Sequence, residues 1–184
     1  MTEKPSLRER QAPLKARYEA DPDSAKLTFT IESRTAGHDD PTRVRVGTAG
    51  APGVEWAVAA HPFAGGEGDL ACSGDLLLAS LAACQEITVR MVAAAMGIAI
   101  DELAVTVEGD MDFRGTMGID PDAPVGFSAI RTKVRIAADV APDRLARLAQ
   151  RAEKYCVVAS TLRHSPEMTL EFEAAPAAGG SSQA

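Results

Sequence analysis

A run of 22 residues that begins at Leu76, LLLASLAACQEITVRMVAAAMG, is apolar along almost its whole length. A helix with apolar residues on nearly every face has to be packed on several sides, which predicts a central core helix. Ser73 is the predicted N-cap, and Gly97 follows the predicted end of the helix. A glutamine, a glutamate and an arginine interrupt the run and would be costly at a bilayer centre, so we expect no membrane partner.

Length and charge limit the remaining classes of protein. The chain has 184 residues, which predicts a single domain over residues 1–184. The formal net charge of −7 provides no basic surface for phosphate backbones, so nucleic acid is not expected as a partner. The first ten residues, MTEKPSLRER, are charged and are followed by no apolar run, so no secretory signal is predicted. We therefore expect a cytoplasmic protein.

Alternating apolar and polar residues predict strands with one solvated face on both sides of the central helix. Three such stretches precede it, with their apolar residues at Leu27, Phe29 and Ile31, at Val44 and Val46, and at Val54, Trp56 and Val58. Two more begin at Leu103 and Phe127, and a last strand is predicted at residues 168–174. Gly, Asp and Pro in the first two connections favour antiparallel hairpins.

A second long helix is predicted from the segment APDRLARLAQRAEKYC. Its apolar residues follow helical spacing, and Cys156 falls on the buried stripe. A short helical extension is predicted at about residues 5–20, and a flexible tail at about 175–184. The resulting order, β-β-β-α-β-β-α-β, indicates an α+β fold with antiparallel sheets.

Each of the two long helices brings one cysteine to the core. Packed helices lie about 8–10 Å apart, so Cys84 and Cys156 could face each other closely enough for a disulfide. A peroxide-reducing thiol pair needs that proximity, because one thiolate attacks the peroxide and the second thiol resolves the sulfenic acid. Spacing alone leaves the other interpretation open, in which both are packing residues, since buried cysteine behaves as a small hydrophobe.

Three segments resemble the OsmC/Ohr family of thiol-dependent peroxidases: SGDLLLASLAACQEITVRMVAAAMGI, VTVEGDMDFRG and LARLAQRAEKYCVVASTL. The resemblance extends from about Leu27 to Phe172. It implies an OsmC-like α+β fold in which antiparallel sheets wrap around two long central helices. It also implies an intertwined homodimer with active sites at the subunit interface.

The same resemblance implies roles for the cysteines. Cys84 matches the peroxidatic cysteine of the family and Cys156 its resolving cysteine. The implied substrates are organic hydroperoxides, with hydrogen peroxide reduced less well, and the implied reductant is a dithiol. No metal and no organic cofactor is implied.

A thiol buried among Leu and Ala would have a raised pKa, so a cation is expected near Cys84. The family supplies an arginine from the N-terminal sheet region, held by a glutamate just ahead of the helix. Arg34 matches one family placement of that arginine, whereas the other placement holds His61 here. Asp75 is the counterpart of the glutamate, because this chain has SGD where the family commonly has a PE pair.

Several alternatives stay open. Arg43 and Arg45 are weaker candidates for the activating arginine. Cys72 is either an alternative resolving thiol or an incidental loop cysteine. The departure at the glutamate position also allows a catalytically silent protein of the same fold that binds an apolar small molecule at the dimer interface. A third possibility is a structural stress-response protein with packing thiols. The three histidines show no metal-ligand spacing.

Overall fold

The computed structural model describes residues 5–35, 39–50 and 54–174. One sequence prediction, the flexible tail at about 175–184, lies outside the described residues, and so does one of the three histidines, His38. The predicted N-terminal helix is present as α1 (Leu7–Ala20). It begins with a capping box, in which the Ser6 side chain accepts from the Glu9 N–H and the Glu9 carboxylate accepts from the Ser6 N–H.

The first three strands form one antiparallel sheet in the order β1-β2-β3. They are β1 (Ile31–Thr35), β2 (Arg43–Thr48) and β3 (Glu55–Ala59). The predicted first strand therefore starts late, because Leu27 and Phe29 precede β1. Only the end of β3 is buried, at Val58 and Ala59, so most of this sheet is solvent-exposed within one chain.

The apolar run forms α2 (Ser73–Ala95), the long helix that the sequence predicts. Its N-cap is Cys72, so the prediction of Ser73 as N-cap was wrong by one residue. Gly97 follows with a φ of +63°, a left-handed conformation that favours glycine at this position. By length and composition α2 could also cross a membrane, but it packs here against a strand and three helices of its own chain.

The second sheet consists of β4 (Glu102–Met111) and β5 (Phe127–Ala137), paired antiparallel. Alternate residues of β4 face inward toward α2, as period two requires. A short helix that the sequence does not predict, α3 (Phe113–Thr116), lies in the connection between the two strands. The two sheets are not hydrogen-bonded to each other in the described residues.

The predicted second helix is α4 (Pro142–Tyr155), and a further helix, α5 (Val157–Arg163), follows directly. The Arg144 guanidinium donates to the carbonyl of Met96 at 2.7 Å, which sets the start of α4 beside the end of α2. The helices α2 and α4 therefore run antiparallel. One core cluster lies between them, with Val89, Ala93, Leu148, Ala152 and Ile98 as its buried members.

The prediction of a last strand at residues 168–174 was wrong for the single chain. Residues 165–174 form no helix and no strand, and Phe172 remains 93% exposed. Met168 and Leu170 are also largely exposed. The physical reason is that an alternating segment becomes a strand only when it pairs with a sheet edge. Among the residues that the structure describes, the segment makes no such pairing.

Candidate active site

The structure brings Cys84 and Cys156 together in the core. Cys84 lies on α2, and Cys156 is the single residue between α4 and α5. Cys156 is fully buried with Leu81 and Ala159, and Cys84 packs against the same cluster. Both cysteines are free thiols. The predicted approach of the two helices therefore places two thiols, 72 residues apart in the chain, in one small cluster.

Cys156 is held by the geometry of the α4 to α5 junction. Its backbone is extended, with φ −74° and ψ 106°, so it ends one helix and serves as N-cap of the next. The first residues of α5 present backbone N–H groups that have no intrahelical partner. These groups lie next to the thiol pair, and the start of a helix also carries a partial positive charge.

The pKa of the Cys84 thiol lies below its ordinary value. Burial raises this pKa, but the N–H groups of Val158 and Val157 and the thiol of Cys156 favour the thiolate and more than offset the burial. The Thr88 hydroxyl also lowers the pKa of Cys84. The same hydroxyl donates a hydrogen bond to the Cys84 carbonyl oxygen at 2.7 Å.

The pKa of the Cys156 thiol is shifted the other way. Burial raises it first, and the neighbouring Cys84 raises it further, while the N–H groups of Ala159 and Val158 oppose the change. Cys84 is therefore the thiol that ionises first, and Cys156 stays protonated beside it. This order suits a nucleophile next to a second thiol that acts later.

Arg34 lies on β1, away from the thiol pair of its own chain. Its guanidinium is paired with the Glu32 carboxylate at 3.0 Å, and the side chain is 77% exposed. Arg45 lies directly across from it on β2 and is paired with Glu55 at 2.9 Å. Within one chain, neither arginine is brought to Cys84 among the contacts of the described residues.

Arg43 has a different setting from Arg34 and Arg45, because it joins β2 to the loop before α2. Its guanidinium donates to Asp69 at 2.9 Å and to Glu67 at 2.5 Å, and it pairs with Asp40 at 3.0 Å. Only a quarter of the side chain is exposed. Three carboxylates thus hold Arg43 as a link between the first sheet and the loop before α2.

Asp75 completes the capping box at the start of α2. Its carboxylate accepts from the Cys72 N–H at 2.8 Å, and its own N–H donates to the Cys72 sulfur at 3.4 Å. The N–H of Cys72 holds the pKa of Asp75 below its usual range, with a smaller contribution from His61. Nine residues of helix separate Asp75 from Cys84, which corresponds to about 13.5 Å along the axis.

Two further sequence candidates are fixed elsewhere. Cys72 lies about 18 Å along the helix axis from Cys84, by the rise of twelve helical residues, so it cannot resolve Cys84 within one chain. His61 stacks on Phe113 with ring centroids 5.1 Å apart, and its Nδ1 accepts from the Phe63 N–H. Within residues 5–35, 39–50 and 54–174, no group of three or more His, Cys, Asp or Glu side chains is arranged so that it could hold a metal ion.

Sequence reasoning missed the N–H groups of Val157 and Val158, which replace part of the cation that Cys84 was expected to need. A backbone donor carries no side-chain signature, and the segment KYCVVAST contains no glycine or proline that would mark a helix break. The donors become visible only when the break at Cys156 is seen.

A family model described as OsmC-like protein matches residues 66–171 of the chain. This region contains α2, both strands of the second sheet, both cysteines of the pair and the helices α4 and α5. Among curated proteins, no sequence matches.

Solved structures share the architecture at low sequence identity. An OsmC-like protein from Mycoplasma pneumoniae is 19% identical with a TM-score of 0.60, covering 76% of this chain and 90% of its own. An organic hydroperoxide resistance protein from Legionella pneumophila is 20% identical with a TM-score of 0.58, covering 76% and 92%. A third, the organic hydroperoxide resistance protein from Elizabethkingia anophelis, is 17% identical with a TM-score of 0.53, covering 77% and 91%. The predicted α+β fold class is confirmed.

Proposed function

The chain belongs to the OsmC-like protein family, and we propose that it is a thiol-dependent peroxidase that reduces organic hydroperoxides. One observation carries the proposal: Cys84 and Cys156 contact each other, and the pKa of Cys84 is lowered while that of Cys156 is raised. The first N–H groups of α5 lie beside Cys84 and favour its thiolate, which a packing role would not require. Structural neighbours described as organic hydroperoxide resistance proteins support the same reaction class.

The proposed reaction has three balanced steps. The Cys84 thiolate attacks the terminal oxygen of a hydroperoxide, the O–O bond breaks, and the alcohol leaves after taking up a proton, which gives a Cys84 sulfenic acid. The Cys156 thiol then attacks the Cys84 sulfur, releasing water and forming a disulfide. A dithiol reductant cleaves that disulfide by exchange and restores both thiols.

The surroundings of Cys84 support organic peroxides over hydrogen peroxide. Leu81, Val107, Ile130 and Val158 belong to the same cluster as the two thiols. Apolar side chains of this kind bind a carbon skeleton, whereas hydrogen peroxide gains nothing from them.

We also infer that the chain works as a homodimer. Phe29, Met168, Leu170 and Phe172 are more than four-fifths exposed or close to it, on segments that lie outside the two sheets of the chain. Leaving several large apolar side chains in water is unfavourable, and a second copy would cover them. A second copy could also bring its Arg34 or Asp75 toward the thiol pair.

The test is peroxide consumption by the full chain with a dithiol such as dithiothreitol, using cumene hydroperoxide and hydrogen peroxide. We expect faster consumption of cumene hydroperoxide, and its loss in Cys84→Ser. In the absence of the dithiol, Cys156→Ser should be oxidised once and then stop as a sulfenic acid, which dimedone traps. Cys72→Ser is the matched control, because its sulfur caps α2 away from the pair, and it should retain turnover.

Two results would contradict the proposal. One is the absence of peroxide consumption by the native chain. The other is full retention of activity in Cys84→Ser, which would show that Cys84 is not the nucleophile.

A second candidate, a protein of the same fold that binds an apolar molecule without turnover, is favoured by one feature. A cavity of about 270 Å³ between α2, β5 and α4 is lined almost entirely by apolar side chains, with Gln85 as the polar exception. If native protein binds an apolar probe but consumes no peroxide, this candidate replaces the first.

A further inference from the structure

Cys84 and Cys156 form a pair of sulfur atoms enclosed by apolar side chains. The other members of their cluster are all aliphatic, namely Leu81, Val107, Ile130, Val158 and Ala159. No member of the cluster therefore offers a side-chain oxygen or nitrogen atom beside the two sulfurs. Cys156 is fully buried, whereas Cys84 is only half-buried, so the pair can be reached from outside on the Cys84 side.

Two sulfur ligands and no others suit one kind of metal ion. Soft thiolates select Cu(I), whereas Zn²⁺ is held by three or four protein ligands. Cu(I) has a filled d shell, and two thiolates hold it in a linear arrangement without a third ligand. Within residues 5–35, 39–50 and 54–174, no group of three or more His, Cys, Asp or Glu side chains could hold a metal ion. The pair of thiols can therefore form a two-ligand site, and not a zinc-type site.

The surroundings of the pair also suit the charge of such a complex. Two thiolates around one Cu(I) leave a single negative charge, which aliphatic side chains alone would not favour. Backbone N–H groups after Cys156 offset this charge. That of Val157 lies beside the Cys84 thiol, that of Ala159 beside the Cys156 thiol, and that of Val158 beside both. Hydrogen bonds to charged sulfur would therefore stabilise a metal thiolate as they stabilise the free thiolate.

We propose that Cys84 and Cys156 bind one Cu(I) ion through their two sulfurs alone. The ion is delivered as a complex with two small thiolates, and no electron is transferred. The Cys84 thiolate and the Cys156 thiol replace the two carrier thiolates, and the proton of Cys156 leaves with one of them. Binding needs no hydroperoxide, so the site stands apart from the proposed peroxidase function. The two uses of the pair exclude each other, because sulfurs that both hold a copper ion cannot form a disulfide.

The experiment uses the full native chain, reduced and free of oxygen, with Cu(I) supplied in an excess of glutathione. Gel filtration separates the protein from the glutathione complex, and X-ray absorption at the copper edge then counts the ligands. We expect one copper ion per chain, bound by two sulfurs at the short Cu–S distance of linear coordination. Copper that elutes with glutathione would overturn the site, and so would protein-bound copper with three or four ligands.

Alkylation locates the ion on the native chain without any substitution. Bound Cu(I) should prevent iodoacetamide from labelling Cys84, as read by mass spectrometry of tryptic peptides. Cys72 should be labelled at its metal-free rate, because its sulfur caps α2 away from the pair. Zn²⁺ in the same excess of glutathione should leave Cys84 unprotected, since two protein ligands are too few for it. Protection of Cys72 in place of Cys84, or equal protection of Cys84 by Zn²⁺, would refute the site.

Variants test the two ligands one at a time, with copper affinity measured by competition with bathocuproine disulfonate. Loss of an outer hydrogen-bond partner costs a metal site roughly 10–100-fold in affinity, so Cys84→Ser and Cys156→Ser, which each remove a ligand, should cost more. Cys72→Ser is the matched control and should retain the native affinity. Equal affinity in the three variants would refute the site. Peroxide turnover by a native chain that binds no copper would refute the copper site alone, whereas copper binding without turnover would refute the peroxidase alone.

Discussion

Two backbone N–H groups at the start of α5 stabilise negative charge on Cys84. Helix starts commonly do this, because their first N–H groups lack intrahelical acceptors. Here the thiol lies in the middle of α2, and the N–H groups that stabilise its thiolate belong to the start of a different helix, α5. The acidity of Cys84 therefore depends on where the chain turns at Cys156.

Val157→Pro tests this dependence with little structural disturbance. Proline fits the first position of a helix, and Cys156 before it is already extended, as a residue preceding proline should be. The substitution removes one N–H near Cys84. We expect the pKa of Cys84 to rise by about one unit, and alkylation by iodoacetamide near neutral pH to slow about tenfold.

Val157→Ala is the control for that substitution, because it shortens the same exposed side chain and retains the N–H. Alkylation of Cys84 followed between about pH 6 and pH 10 gives the pKa of each variant directly. Equal rates in the proline and alanine variants would mean that the Val157 N–H does not stabilise the thiolate.

Contact between α2 and the second sheet depends on one close approach. A Cβ placed on Gly109 of β4 would lie 2.7 Å from two carbons of the Phe127 ring and 3.3 Å from Leu78 of α2. The aromatic ring therefore occupies the space that a side chain would need. Phe127 also lies beside Gly74 at the start of α2, so one ring joins both strands of the sheet to that helix.

Gly109→Ala should destabilise the fold by about 1–3 kcal/mol, the usual cost of overpacking a core. Gly126→Ala is the matched control, since a Cβ there meets nothing within 4 Å. That variant should be neutral or slightly stabilising, because alanine restricts the unfolded chain. The free energies of unfolding come from urea titrations. Equal values for the two variants would contradict the close approach.

The links between Arg43 and its carboxylates give the first sheet a pH-dependent attachment to the loop before α2. Hydrogen bonds from Arg43 hold the pKa of Asp69 below its usual range, and those from Thr42 do the same for Asp40. A lowered folded-state pKa adds stability above the unfolded value of about 3.9, and this stability is lost as the pH falls through the folded-state pKa.

Arg43→Gln should therefore lower stability at neutral pH and flatten the loss of stability below about pH 4. The denaturation midpoint at a series of pH values measures both effects. Arg45→Gln is the control from the same strand, since Arg45 pairs with Glu55 alone. A native and an Arg43→Gln curve of identical shape would show that the lowered pKa values do not depend on Arg43.

In the assembled protein, the interface of the proposed homodimer should include the exposed apolar face of residues 168–172. Phe172→Asp places a charge on that face and should shift the mass measured by light scattering from about twice 19.3 kDa toward 19.3 kDa. When the segment pairs as a strand in the proposed dimer, Thr169 and Phe172 lie on opposite faces, so Thr169→Asp should leave the mass unchanged. A native chain that stays monomeric would refute the dimer.

Side-chain periodicity in the sequence predicts which helix and strand faces are buried. It does not predict where a helix ends or whether a strand finds an edge to pair with, because these depend on backbone geometry and on partner segments. The apolar spacing of α4 predicts that Cys156 is buried, and the structure confirms it. The same spacing cannot show that α4 stops at Tyr155, because the segment contains no breaker. Alternation at residues 168–174 predicts a strand that the single chain does not form, because a strand also needs an edge to pair with. The capping role of Cys72 was missed because serine is the commoner N-cap.

The junction at Cys156 also determines how firmly α5 is held. The helix α5 has seven residues, with Ala159 as its one buried residue, and helices this short do not persist alone in water. Its start is fixed by the cluster that contains both thiols. A disulfide there would anchor α5 covalently, whereas a bulky adduct on Cys84 would displace it. The rate of tryptic cleavage after Arg163, at the end of α5, should therefore depend on the state of the thiol pair. We expect slow cleavage in the disulfide form and fast cleavage once Cys84 has been alkylated.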